Sequence, residues 1–210
     1  MSNAQRANDI IVQVLDVFQR YGIKSVSMDD LARHVGMSKK TLYQHFTDKN
    51  QLVEETLNHL AEADFCSMKN IAEQSLNAID EMFALYRHAS ATVRKHNPVL
   101  DFDLQRYYPL IYKKLRERSR KQMHQIILNN LIKGKAERLY RSNLNENIIA
   151  KLFVLRMENL MHTDLVSAEE LFSEAFFIET YRYHLFGILS EAGLQFIKNS
   201  YPEFLTSNNS

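Results

Sequence analysis

Glycine and proline are scarce in this 210-residue chain, at five and three. That scarcity argues against a turn-rich β fold and for long helices. A single cysteine, Cys66, excludes an internal disulfide framework and fits a reducing cytoplasm. With only Asp64 and His59 near it, Cys66 reads as a small apolar filler rather than a metal ligand. No run of about 18 apolar residues is present, so no membrane-spanning helix is expected. The opening MSNAQRAND lacks the apolar core of a secretory signal. Catalytic group sets are missing too: there is no glycine-rich phosphate loop, no HExxH and no Glu-x-x-His pair, and the eight histidines are scattered. An enzyme is therefore not expected, and neither a cofactor nor a metal is implied.

Strong net charge is also lacking. The formal balance is +1, which is not that of a strongly basic nucleic-acid binder. By segment it is uneven: +2 over residues 1–50, −5 over 51–104, +9 over 105–141 and −5 over 142–210. The basic run Lys113, Lys114, Arg116, Arg118, Arg120 and Lys121 invites a nucleic-acid reading, but acidic segments flank it. A helix side that faces acids is the better expectation.

What the chain does contain is a capped, helix-period stretch over residues 27–49, SMDDLARHVGMSKKTLYQHFTDK. Ser27 is a good N-cap, with Asp29 and Asp30 in the first turn. Leu31, Ala32 and Val35 repeat at helical spacing, and Gly36 suits the left-handed residue that stops a helix. Ser38 caps a second short helix running to about Phe46. At about 100° per residue, Leu42 and Phe46 point inward while Lys40 and Gln44 face out, flanked by Thr41 and Tyr43. Lys39 lies at the helix entrance and His45 on a shoulder. Two helices joined by a short glycine-containing turn form a helix-turn-helix, and this outer face carries base-edge donors, hydroxyls and no carboxylate. A short amphipathic helix in an ordinary bundle is the plainer alternative.

These residues resemble the TetR (tetracycline-repressor-like) family of transcriptional regulators. The resemblance rests on Phe18, Gly22, Ser27, Leu31, Ala32, Val35, Gly36, Ser38, Thr41, Leu42, Tyr43, His45, Phe46, Lys49 and Leu52, and covers about the first fifty residues. It implies an all-α fold: residues 1–47 as a three-helix DNA-binding domain, and 48–210 as a helical effector-binding and dimerisation domain. Base reading falls to Lys39, Lys40, Tyr43 and Gln44, and phosphate anchoring to Ser27, Ser38, Thr41, His45 and Lys49. Lys40 stands where similar sequences often have a small residue.

Further helices are expected over Gln5–Tyr21, from Asp48 without Pro or Gly as far as Ser75, over Leu76–His96, and from Pro109 to Lys133, where Gly134 stops the helix. A short segment over 99–106 precedes Pro109. Two more helices are expected at Glu146–His162 and, as one long apolar helix, Ala168–Asn199. The helix from Asp48 reads as a rigid rod. Met68, Phe83, Tyr86, Phe102, Tyr107, Tyr108, Tyr112, Phe153, Met157 and Met161 could line an effector cavity, although such stripes at helical spacing are more often core. Leu152, Leu171, Phe172, Ala175, Phe176, Ile178, Tyr181 and Leu185 are candidates for a dimer interface, because the last helix is too apolar for one buried stripe.

The expectation is a homodimeric regulator, a repressor released from a near-palindromic double-stranded operator by a small, largely apolar effector. A DNA-binding dimer with no effector stays open beside it, as does a helical enzyme.

Overall fold

The computed structural model describes residues 3–94, 97–160, 165–171 and 173–205. Among them there is no strand, and the fold is all-α as expected. The helices are α1 (Asn3–Tyr21), α2 (Met28–His34), α3 (Lys39–His45), α4 (Lys49–Gln74), α5 (Ala78–Arg94), α6 (Pro98–Tyr107), α7 (Pro109–Ala136), α8 (Glu146–Leu160), α9 (Ala168–Leu171), α10 (Glu174–Ile188) and α11 (Glu191–Ser200). No helix of the described residues is long and apolar enough to cross a membrane.

The chain forms two compact units. The first comprises residues 1–66 and 96–119, so it is larger than the expected domain 1–47. It takes in the start of α4, all of α6 and the start of α7. Its core is built from Ile10, Val14 and Phe18 of α1, Leu31 of α2, Leu42 and Phe46, Leu52 of α4, Leu104 of α6 and Ile111 of α7. The short segment expected over 99–106 is thus a full helix, α6, capped by Asn97, whose side chain accepts from Val99 N and Leu100 N. Part of the basic run on α7 faces acids here: Lys114 pairs with Glu54 at 2.9 Å, and Arg118 with Glu62. Cys66 is exposed, which corrects its expected role as a buried filler.

The second unit comprises residues 67–95 and 120–210. Its core joins Ile79, Met82 and Phe83 of α5, Ile127 and Leu131 of α7, Phe153 of α8 and Tyr181, Leu185 and Ile188 of α10. Two expectations change here. The apolar stretch 168–199 is three helices rather than one, because serines interrupt it. Ser173 accepts from Phe176 N and caps α10, and Ser190 accepts from Gly193 N and caps α11. Between those last two helices the backbone is extended at Leu189, which bridges Tyr140 while Ser190 N donates to Leu139 O at 3.0 Å.

Gly134, expected to stop α7, lies inside it. The ring of Tyr140 packs on this glycine, and a Cβ there would sit 2.1 Å from a ring carbon. Tyr140 cannot give way easily. It is 2 % exposed, and its hydroxyl lies 3.1 Å from the Ala78 carbonyl and 3.0 Å from Asn130 Oδ1. Gly134→Ala is therefore expected to destabilise the protein by about 3 kcal/mol, the upper range for forcing one carbon into a packed core. Urea unfolding checks this, and a change below about 0.5 kcal/mol would contradict the packing role.

Candidate nucleic-acid interface

The helix-turn-helix forms as its sequence signals dictate. Ser27 accepts from Asp30 N at 3.2 Å while Asp30 Oδ2 accepts from Ser27 N at 3.0 Å, a reciprocal cap. The Ser27 hydroxyl, which donates to Asp30 Oδ2, and then the Ser27 amide hold the Asp30 carboxyl below its ordinary pKa. Gly36, at φ +68°, makes the turn, and Ser38 Oγ accepts from Thr41 N at 3.1 Å to start α3. Leu42 and Phe46 are fully buried, which fixes the rotation of α3 and turns Lys40, Tyr43 and Gln44 outward as exposed side chains.

Lys39 is exposed too, but it reaches Asp29 of α2 at 2.9 Å, and that bond raises its pKa. The Ser27 hydroxyl is turned to Asp30 Oδ2 at 2.6 Å, and the Ser38 hydroxyl to Thr41 Oγ1 at 2.8 Å. Thr41 and His45 are half-buried on the flanks. At the start of α4, Asp48 Oδ1 accepts from Gln51 N at 2.8 Å, so a carboxylate already caps that terminus.

Lys49 is the one DNA-contact candidate that the structure redirects. Its ammonium points inward, donating to the carbonyls of Ile23, at 2.6 Å, and of Val26. Burial and then the nearby Lys24 lower its pKa. The expected phosphate anchor is instead a clasp on the loop between α1 and α2. A second clasp comes from α6: the buried Asp103 accepts from Ile23 N at 2.8 Å and from Lys24 N at 2.7 Å. Gly22, at φ +76°, lets that loop turn, and a Cβ there would meet Asp103 Oδ2 at 2.8 Å. Lys24 also lies over the Tyr107 ring, 4.7 Å from its centroid. Sequence reasoning missed Asp103, because nothing local marks an acceptor about 80 residues away from its donors.

The effector candidates are divided between the two units. Tyr108 and Tyr112 pack against the core of the first unit, and Phe102 is exposed. Met68, Phe83 and Phe153 are buried in the second unit, where Tyr86 and Met157 pack against the core; Met161 lies outside the described residues. Tyr86 sits in an aromatic cluster with Phe177 and Tyr181. Of the interface candidates, Tyr181 and Leu185 are core residues, which corrects their assignment: they point into their own unit. Leu152 and Ala175 are exposed, Leu171, Phe176 and Ile178 are half-buried, and Phe172 lies outside the described residues. The exposed apolar side chains of α8 and α10 include four not anticipated, Ile148, Leu155, Tyr183 and Phe186. Their spacing at three and four residues from Leu152 or from one another was the available signal.

Comparison with known proteins bears on this geometry. The profile of the bacterial regulatory proteins of the tetR family matches residues 10–56. The HTH-type transcriptional repressor KstR2 of Mycolicibacterium smegmatis is 22% identical over 149 residues, 70% of this chain and 73% of that protein. The crystal structure of a transcriptional regulator from Cytophaga hutchinsonii superposes with a TM-score of 0.74 at 19% identity, covering 88% of this chain and 99% of that one. The structure of the ketosteroid transcriptional regulator KstR2 of Mycobacterium tuberculosis gives a TM-score of 0.52 at 17% identity over 89% and 96% of the two chains.

The Asp103 clasp has a measurable consequence. Asp103→Ala strands two backbone donors, one of them buried, and is expected to lower unfolding stability by about 3 kcal/mol. Asp103→Asn keeps an acceptor and should lose about 1 kcal/mol. Equal losses for the two variants in urea unfolding would show that the acceptor is not what matters.

Proposed function

By its residues 10–56 the chain belongs to the tetR family of bacterial regulatory proteins, and from that premise we propose that it is a homodimeric repressor that reads a near-palindromic DNA operator. The observation that carries this reading is the outward side of α3, where Lys40, Tyr43 and Gln44 stand exposed and no residue is acidic. Lysine and glutamine reach base edges in a major groove, and a twofold dimer sets two such helices roughly 34–36 Å apart. Ser38, Thr41 and His45 flank that side and take phosphates, and Ser27 does so at the price of its internal bond to Asp30. The repressor sign follows the name that the KstR2 relative carries.

The effector is a small, largely apolar molecule. Its entry is at a cavity of about 70 Å³ in the second unit, lined by Val93, Met157, Leu160, Leu171, Phe176 and Phe177, with Thr180 as the hydroxyl-bearing wall. That volume is below the range of ordinary ligand sites, so the effector must favour a conformation in which α5, α8 and α10 stand further apart. A ligand that prefers this conformation shifts the population and lowers operator affinity. A ligand without such a preference would not.

Selection of bound duplexes from a random pool tests the central reading, and the absence of any enriched palindrome would remove it. On the selected operator, Gln44→Ala is expected to relax preference at one or two positions, while Lys40→Ala weakens binding by about tenfold. Lys49→Met should lower thermal stability and leave the salt dependence of DNA binding unchanged, since its ammonium holds a loop. A slope reduced by about one would return Lys49 to a phosphate.

A further inference from the structure

The two acids in the first turn of α2 are not used alike. Asp30 is taken up by the cap: its Oδ2 accepts from the Ser27 amide and hydroxyl, and its Oδ1 from Arg33. Asp29 has one side-chain partner among the described hydrogen bonds and ion pairs, the Lys39 ammonium at 2.9 Å. Both members of that pair are about half exposed, Asp29 at 54% and Lys39 at 52%. Lys39 opens α3 and Tyr43 stands four residues on, so the two share one side of that helix. The ion pair therefore sets a carboxylate from α2 beside the outward side of α3, whose own residues include no acid.

A carboxylate in that place narrows what the surface can meet. Phosphates repel it, and so do the acceptors that guanine and thymine present in a major groove. Only two base groups donate there, N4 of cytosine and N6 of adenine. Adenine sets its N7 acceptor beside N6, against the second carboxylate oxygen. Cytosine has only a carbon-bound hydrogen next to N4, so it is the better partner. Without such a donor, an Asp29 released from Lys39 would be an unpaired charge held against DNA, a costly arrangement.

We propose that Asp29 is a specificity-determining residue: Lys39 passes from Asp29 to a backbone phosphate, and the freed carboxylate accepts from the N4 amino group of a cytosine in the major groove. One exposed ion pair is then replaced by two charge-assisted contacts. At any other base pair either the carboxylate is stranded or Lys39 stays on it and the phosphate contact is not made. The acid on α2 thus makes a phosphate contact conditional on a base. The inference rests on the DNA-reading proposal and deepens it, adding to α3 a discriminating residue from the neighbouring helix.

Selection from a random duplex pool tests this with the full-chain wild type, Asp29→Ala, Asp29→Asn and Lys39→Ala, each checked for folding by circular dichroism. The wild type is expected to enrich a C·G pair in each half-site, and Asp29→Ala to leave that position free while keeping the others. Asp29→Asn should change it to A·T, because an amide pairs with N6 and N7 of adenine together. Lys39→Ala should keep the C·G pair and reduce the salt slope by about one for each subunit bound. A second arm deletes the donor itself, by placing 2-pyrimidinone, which lacks the amino group, at that cytosine of a selected duplex. Wild-type affinity should fall about tenfold and that of Asp29→Ala should not change. An equal fall in both proteins, or a C·G preference that survives Asp29→Ala, overturns the contact. So does a preference lost in Lys39→Ala as well, which would make Asp29 a support for the lysine. Should Asp29→Ala not fold, Asp29→Asn decides: a switch to A·T supports the contact and a retained C·G overturns it. A wild type that enriches no palindrome removes the DNA-reading proposal itself, whereas a palindrome with no position sensitive to Asp29 overturns this inference alone.

Discussion

The loop between α1 and α2 is held by both kinds of backbone group at once. Its amides at Ile23 and Lys24 go to the carboxylate of Asp103, and its carbonyls at Ile23 and Val26 go to the ammonium of Lys49. A loop of this length has no ladder of its own, so its buried polar groups must find partners elsewhere. Here the partners are two full charges. Hydrogen bonds to charged groups contribute more than a neutral cap such as that at Ser38, by roughly a factor of two. The position of Ser27 follows from this loop, then the direction of α2, then the rotation of α3.

That dependence separates what the residues announce from what only the fold reveals. The caps at Ser27 and Ser38, the turn at Gly36 and the inward pair Leu42 and Phe46 are local signals, and each was legible. Lys49 was not, because a lysine at the start of a helix can swing toward solvent or toward the protein. Only the carbonyls of a loop more than twenty residues earlier decide between them. Asp103 was less legible still. Its own surroundings read as a short segment before Pro109, and its donors are distant in sequence.

The C-terminal half misled for a different reason. Apolar periodicity from 168 to 199 outweighed two cap signals that were present: Ser173-Glu174-Ala175 and Ser190-Glu191-Ala192 open α10 and α11 with the same three residue types. A serine within an apolar helix pattern competes for the backbone amides ahead of it. It wins where tertiary contacts reward the break, here the extended Leu189 paired with Tyr140. The aromatic and methionine stripe was ambiguous in the same way. Phe83 and Phe153 have the spacing of a cavity wall and of a core alike, and packing with Tyr181, Leu185 and the tail residue Phe204 makes them core.

The charge of the proposed DNA face follows the same logic of local placement over totals. Non-specific affinity for DNA comes almost wholly from cations that displace counterions at phosphates. The first fifty residues carry a balance of only +2. One of their lysines, Lys49, is spent on the loop and another, Lys39, is held by Asp29 in a solvent-exposed pair. Such a pair contributes little in water and is open to exchange with a phosphate. In the proposed function Lys39 can therefore exchange Asp29 for a phosphate at little cost. In that proposal discrimination falls to Lys40, Tyr43 and Gln44, which have no internal partner to give up among the described hydrogen bonds and ion pairs.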